Sequence, residues 1–170
     1  AGDDSLEGTS ASDKIFGNEG DDSLTGDDSR DSLYGELGDD SIRGNGGSDV
    51  CDGGEGDDSI RGDAGNDNLA GGAGSDGIRG GAGHDRQAGN GGRDFCSGDA
   101  GDDSIFGGAG DDVLAGGDDD DSVGGGDDDD SINGELGDDS LGGGAGDDSV
   151  SGDGGSDDCS GDNGNDDVRG

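Results

Sequence analysis

An Asp stands at every ninth position from one end of the chain to the other. The ladder reads Asp4, Asp13, Asp22, Asp31, Asp40, Asp49, Asp58, Asp67, Asp76, Asp85, Asp94, Asp103, Asp112, Asp121, Asp130, Asp139, Asp148, Asp157 and Asp166. A Gly follows each of these nineteen residues four positions later, from Gly8 to Gly170. A phase kept this strictly means a stacked repeat, in which every copy does the same job at the same place.

Each repeat alternates a short apolar element with a turn. Two residues after the Asp the side chain is Leu, Ile, Val or Cys in eighteen of nineteen repeats, and Gln87 alone departs. Polar residues flank that position, which predicts a three-residue strand with one inward side chain. The remainder reads as a turn, as in Gly71-Gly72-Ala73-Gly74-Ser75-Asp76 and Gly107-Gly108-Ala109-Gly110-Asp111-Asp112. Glycines there permit positive φ and let carbonyls converge, and the Asp adds a carboxylate at the mouth.

Composition says why the turn matters. The 170 residues carry 47 Asp plus Glu against 8 Lys plus Arg, a formal charge of −39, with 22% hydrophobic and 2% aromatic residues. Read without its order, such a chain is disordered. One buried apolar side chain in nine contributes about 1.5 to 3 kcal/mol, while ordering the backbone costs about 1 to 2 kcal/mol for every residue. Something other than an apolar core must hold the fold. Abundant carboxylates with one His and three Cys point to a hard cation taking oxygen ligands, calcium above all, rather than zinc or iron. The same charge repels phosphate backbones and anionic lipid, so no nucleic-acid partner and no direct membrane insertion are expected. No apolar run approaches the roughly 20 residues of a membrane span.

The pattern Gly-Gly-x-Gly-x-Asp-x-apolar-x resembles the calcium-binding nonapeptide repeat of the repeats-in-toxin (RTX) family over the full chain. The resemblance implies an all-β fold, a right-handed parallel β-roll in which two nonapeptides complete one coil and calcium sits between turns one coil apart. It also implies an extracellular, secreted protein whose roll stays unfolded where calcium is scarce and stiffens where calcium is abundant. Residues 1–170 are then one continuous roll, about 45 Å long at ~4.8 Å per coil. Turns 18 residues apart share an edge, so the ladder divides into columns of ten and nine Asp with seventeen shared turns, and up to about seventeen ions.

Departures from the pattern carry local expectations. Ala11 and Ser29 replace the turn Gly two residues before Asp13 and Asp31, and Arg30 adjoins Asp31. Two readings stand: the site joining Asp13 to Asp31 is weak or empty, with Lys14 and Arg30 supplying positive charge, or the changes are ordinary drift. Asp119 and Asp128 replace the same Gly elsewhere, and Asp tolerates the left-handed conformation well enough to keep those turns. Cys51, Cys96 and Cys159 occupy inward positions too far apart for a disulfide, which needs Cα atoms within about 7 Å. Gln87 beside His84, Asp85 and Arg86 reads as a packing defect. Neither His-Glu-x-x-His nor Gly-x-Ser-x-Gly occurs, and no enzyme is expected. Arg43, Arg61 and Arg79 should form an outward column for charge balance or an anionic partner, and Phe16 and Tyr34 an aromatic step. The uninterrupted phase suggests a segment of a longer array or a subunit stacking end to end into a fibre. The competing function is an Asp-rich disordered protein that buffers cations or associates with mineral. Ice binding through Thr arrays has only Thr9 and Thr25 to draw on.

Overall fold

In the computed structural model, which describes residues 2–170, the repeat becomes nineteen strands and no helix. They run from β1 (Ser5–Glu7), β2 (Lys14–Glu19), β3 (Ser23–Asp27), β4 (Ser32–Leu37) and β5 (Ser41–Gly46) to β18 (Asp158–Asn163) and β19 (Asp167–Arg169). Odd-numbered strands form a ten-stranded sheet and even-numbered strands a nine-stranded one. Every pairing is parallel and joins residues 18 apart, as in Ile42 with Ile60 and Leu33 with Cys51. Two nonapeptides therefore complete one coil of a parallel β-roll.

Most strands span six residues rather than the three expected. The Gly-rich half of each repeat also pairs with the coil beside it, as Asn45 does with Asp63 and Gly46 with Ala64. Only the Gly between the two halves drops out of the paired register, and there the chain bends. A β-ladder needs backbone groups and not side chains, so glycine tracts that read as turns join it once a neighbour stands at fixed register.

The inward column is the core. Leu24, Leu33, Ile42, Ile60, Leu69, Ile78, Leu114 and their counterparts are buried in a single cluster that spans both sheets. All three cysteines are free: Cys51 and Cys96 are buried in this cluster and Cys159 is half-buried. Gln87 lies at 3% exposure, where its Nε2 donates to the Ser97 carbonyl at 2.8 Å while its Oε1 has no partner. A buried carbonyl without a donor costs about 1 to 3 kcal/mol. Gln87→Leu, which matches Leu69 in the adjacent strand, is therefore expected to stabilise the calcium-loaded roll by about 1 to 2 kcal/mol in thermal denaturation.

On the outer faces, the arginine column forms as expected and is mostly neutralised. Arg43 pairs with Asp63 at 3.3 Å and Arg79 with Asp99 at 3.5 Å. Arg61 would reach the equivalent place, but Gly81 stands there, so it has no carboxylate of its own. Phe16 and Tyr34 stack with centroids 5.0 Å apart.

Candidate metal centre

The ladder Asp residues stand immediately before the strands, and the roll stacks them into the two edge columns. From Asp22 to Asp148 each lies at 4% exposure or less. Each Oδ1 accepts the backbone N–H of the Asp one coil earlier, at 2.8 Å from Asp40 to Asp58 and 2.8 Å from Asp49 to Asp67. The same bond recurs along both columns, so each carboxylate ties two coils together.

The second oxygen is different. Oδ2 of fifteen consecutive ladder residues, Asp22 through Asp148, is buried and has no hydrogen-bond partner. An ionised oxygen sealed from water without a donor is among the costliest arrangements a protein can hold, and buried charges are otherwise found paired or bound to metal. The invariant Gly explains what surrounds it. A Cβ added to Gly26 would stand 2.6 Å from Asp31 Oδ2 and 2.8 Å from the Gly44 carbonyl oxygen. Gly35, Gly53 and Gly62 are crowded in the same way by Asp40, Asp58 and Asp67 and by a carbonyl of the next coil. This Gly is thus needed for space rather than for positive φ, a role different from the one expected. Positive φ belongs instead to the residues one and three places after it, including Asp119 at 78° and Asp128 at 77°, which keep their turns as foreseen.

A carboxylate oxygen and a carbonyl oxygen approaching one space, with no donor between them, suit a hard cation. Among the described residues no three His, Cys, Asp or Glu side chains gather at one point, so backbone carbonyls would supply the rest of any such cage. That donor set fits calcium and does not fit zinc or iron.

Burial makes these carboxyls resist ionisation. Burial pushes Asp58, Asp121 and Asp130 up to about 7, and Asp49, Asp67, Asp76, Asp85, Asp103 and Asp112 up to about 6. The N–H bond to Oδ1 opposes the shift, and neighbouring ladder carboxylates mostly add to it. The column stores unmet demand for positive charge.

The family profile of the RTX calcium-binding nonapeptide repeat matches residues 1–32, 25–60, 52–87, 88–123, 114–141 and 143–168. The chain belongs to the RTX calcium-binding repeat family. No curated protein sequence matches this RTX chain.

Sequence reasoning missed a second ladder, made by the residue before most of the ladder Asp and interrupted at Arg30 and Arg93. On one edge Asp39 N–H donates to Asp21 Oδ1 at 3.0 Å and Asp57 N–H to Asp39 Oδ1 at 2.9 Å. On the other the donors Asn66, His84, Asp102 and Asp120 each reach the side chain one coil earlier. These bonds run opposite in direction to the inner ones and lie at the surface. The sequence signal was a position filled mostly by Asp, Asn and Ser, whose oxygens can accept. His84 belongs to this ladder, its Nδ1 3.1 Å from Asp102 N.

Proposed function

We propose that this chain is a calcium-dependent structural module of an extracellular protein, disordered where calcium is scarce and a stiff roll where calcium is abundant. The ladder residues Asp4 to Asp166 are the proposed side-chain ligands, joined by turn carbonyls, at up to about seventeen shared turns, less the Asp13–Asp31 turn taken up below. The observation that carries the reading is the run of fifteen buried Oδ2 atoms without partners, most of which crowd the space beside the invariant Gly together with a carbonyl of the next coil. The module has no chemistry of its own in this reading and acts as a rod, scaffold or secretion-linked repeat. An Asp-rich disordered buffer would have no need of the continuous buried apolar column that the two sheets enclose.

The cysteines offer a test that requires no substitution. Cys51 and Cys96 are 1% and 0% exposed, and burial also pushes both thiols far up from their usual range. Thiol labelling in chelator should modify all three cysteines quickly. In millimolar calcium Cys51 and Cys96 should be protected by at least a hundredfold, leaving Cys159 as the faster site. Equal labelling rates with and without calcium would overturn the proposal.

A further inference from the structure

One turn of the array does not fit a cation. In the turn over residues 8–13, Thr9 donates both its backbone N–H and its hydroxyl to Asp13 Oδ2, at 2.6 Å and 2.9 Å. That oxygen is the counterpart of the fifteen left without a partner. It is also displaced: a Cβ on Gly8 would stand 3.1 Å from Asp13 Oδ2, against 2.6 Å for Gly26 and Asp31 Oδ2 and closer approaches in the following turns.

The cause lies in two residues. The position directly after the invariant Gly holds Gly, Asn, Asp or Glu at positive φ in every later turn, for example Asn18 at 78°, Glu36 at 79° and Asp63 at 73°. Here it holds Thr9, which is β-branched and does not adopt positive φ. Two residues on, Ala11 stands where most later turns have a Gly or Asp at positive φ, and like Ser29 it stays outside that region. The turn opens, β1 stops at Glu7, and after the Gly8 N–H bond to the Thr25 carbonyl, Thr9 and Ser10 do not join the ladder that later repeats continue. Thr9 is then free to fold its two donors onto Asp13.

The strands that follow this turn carry a different fastening. β2 and β4, which begin just after Asp13 and Asp31, are the pair joined by the Phe16–Tyr34 stack. Lys14 Nζ sits 4.8 Å from the Phe16 ring centroid and 4.9 Å from that of Tyr34. Lys14 is thus placed over the two rings and makes no ion pair with Asp13 or Asp31 among the described residues. Arg30 forms no ion pair with Asp13 or Asp31 among the described residues.

We infer that the Asp13–Asp31 turn is a calcium-free clasp: Thr9 satisfies the Asp13 carboxylate in place of an ion, and the Lys14–Phe16–Tyr34 stack holds together the two strands that an ion would otherwise join. The inference rests on the proposed calcium role of the other ladder residues. Thr9 is the residue that decides it, and the calcium array on this edge starts at the Asp31–Asp49 turn, where Asp31 Oδ2 is again without a partner.

Native mass spectrometry of the whole calcium-loaded chain tests it by counting ions. Asp13→Asn should bind as many ions as the parent chain, whereas Asp67→Asn should lose at least one. The double variant Thr9→Gly, Ala11→Gly restores the regular turn and should gain one. If Asp13→Asn loses an ion as Asp67→Asn does, or if the double variant gains none, the clasp is overturned while the calcium reading stands. If the parent chain binds no calcium at all, both fall together. Should Asp13→Asn prevent folding, seen as lost β-sheet circular dichroism in calcium, the double variant still decides.

Discussion

Excess chelator is expected to unfold this protein almost completely at neutral pH. The β-sheet signal in circular dichroism should give way to that of a disordered chain, and the sedimentation coefficient should fall as the roll expands. The reason is local and repeated. From the repeat of Asp22 to that of Asp148, every repeat except that of Gln87 has one buried apolar side chain, and each has a buried carboxylate with one oxygen bonded to a backbone N–H and the other without a partner. Without a cation each such oxygen carries a desolvation cost of several kcal/mol if it stays ionised, and the two edges place these carboxylates one above another along the whole roll. Returning calcium should restore the signal over a narrow concentration range, because every ion ties one coil to the next and a stacked repeat propagates order between neighbours. Magnesium should do so poorly, since it prefers a rigid octahedral shell and gives up its water reluctantly.

Acid should partly replace calcium. In the metal-free roll burial raises Asp58, Asp121 and Asp130 to about 7 and six other ladder residues to about 6, whereas an Asp in the unfolded chain titrates near 3.9. The folded state thus holds more protons than the unfolded state between these values. Its stability falls as pH rises through that window. The contribution is fully present below about pH 4 and is lost by the time pH passes 7. A protonated Oδ2 becomes a neutral donor and no longer carries a buried charge. A calcium-free sample should therefore gain β-structure between pH 8 and pH 5, to an extent that rises as net charge falls. Circular dichroism with sedimentation at each pH checks this, the second measurement separating folding from association near the isoelectric point of about 4.1. A metal-free chain equally disordered at pH 5 and pH 8 would contradict the prediction.

Much of this was legible in the order of the residues. The nine-residue phase foretold the inward apolar column, and the family resemblance it carried implied the 18-residue register and the two edge columns, because each depends on what every repeat shares. Strand length was not legible, since the Gly-rich half of a repeat has no side-chain signature of a strand and joins the ladder through its neighbour's backbone. The reason for the invariant Gly was misread for a related cause: the crowding at Gly26 comes from Asp31 and from Gly44, and the latter is 18 residues away and visible only once the coils are stacked. The turn at Ala11 was flagged by its broken pattern, yet Thr9, which occupies the carboxylate, passed unnoticed beside it. Its signal was present, as the one β-branched residue in a column otherwise made of Gly, Asn, Asp and Glu.

The central claim is that ion binding at the ladder carboxylates and folding of the roll are one event. Calcium bound per chain, measured by equilibrium dialysis at each point of a calcium titration and set against the β-sheet signal of the same samples, tests it most directly. The account predicts that more than ten ions bind within the same narrow calcium range in which the sheet forms. A sheet already complete before ions bind, or ions taken up by a chain that stays disordered, would contradict it.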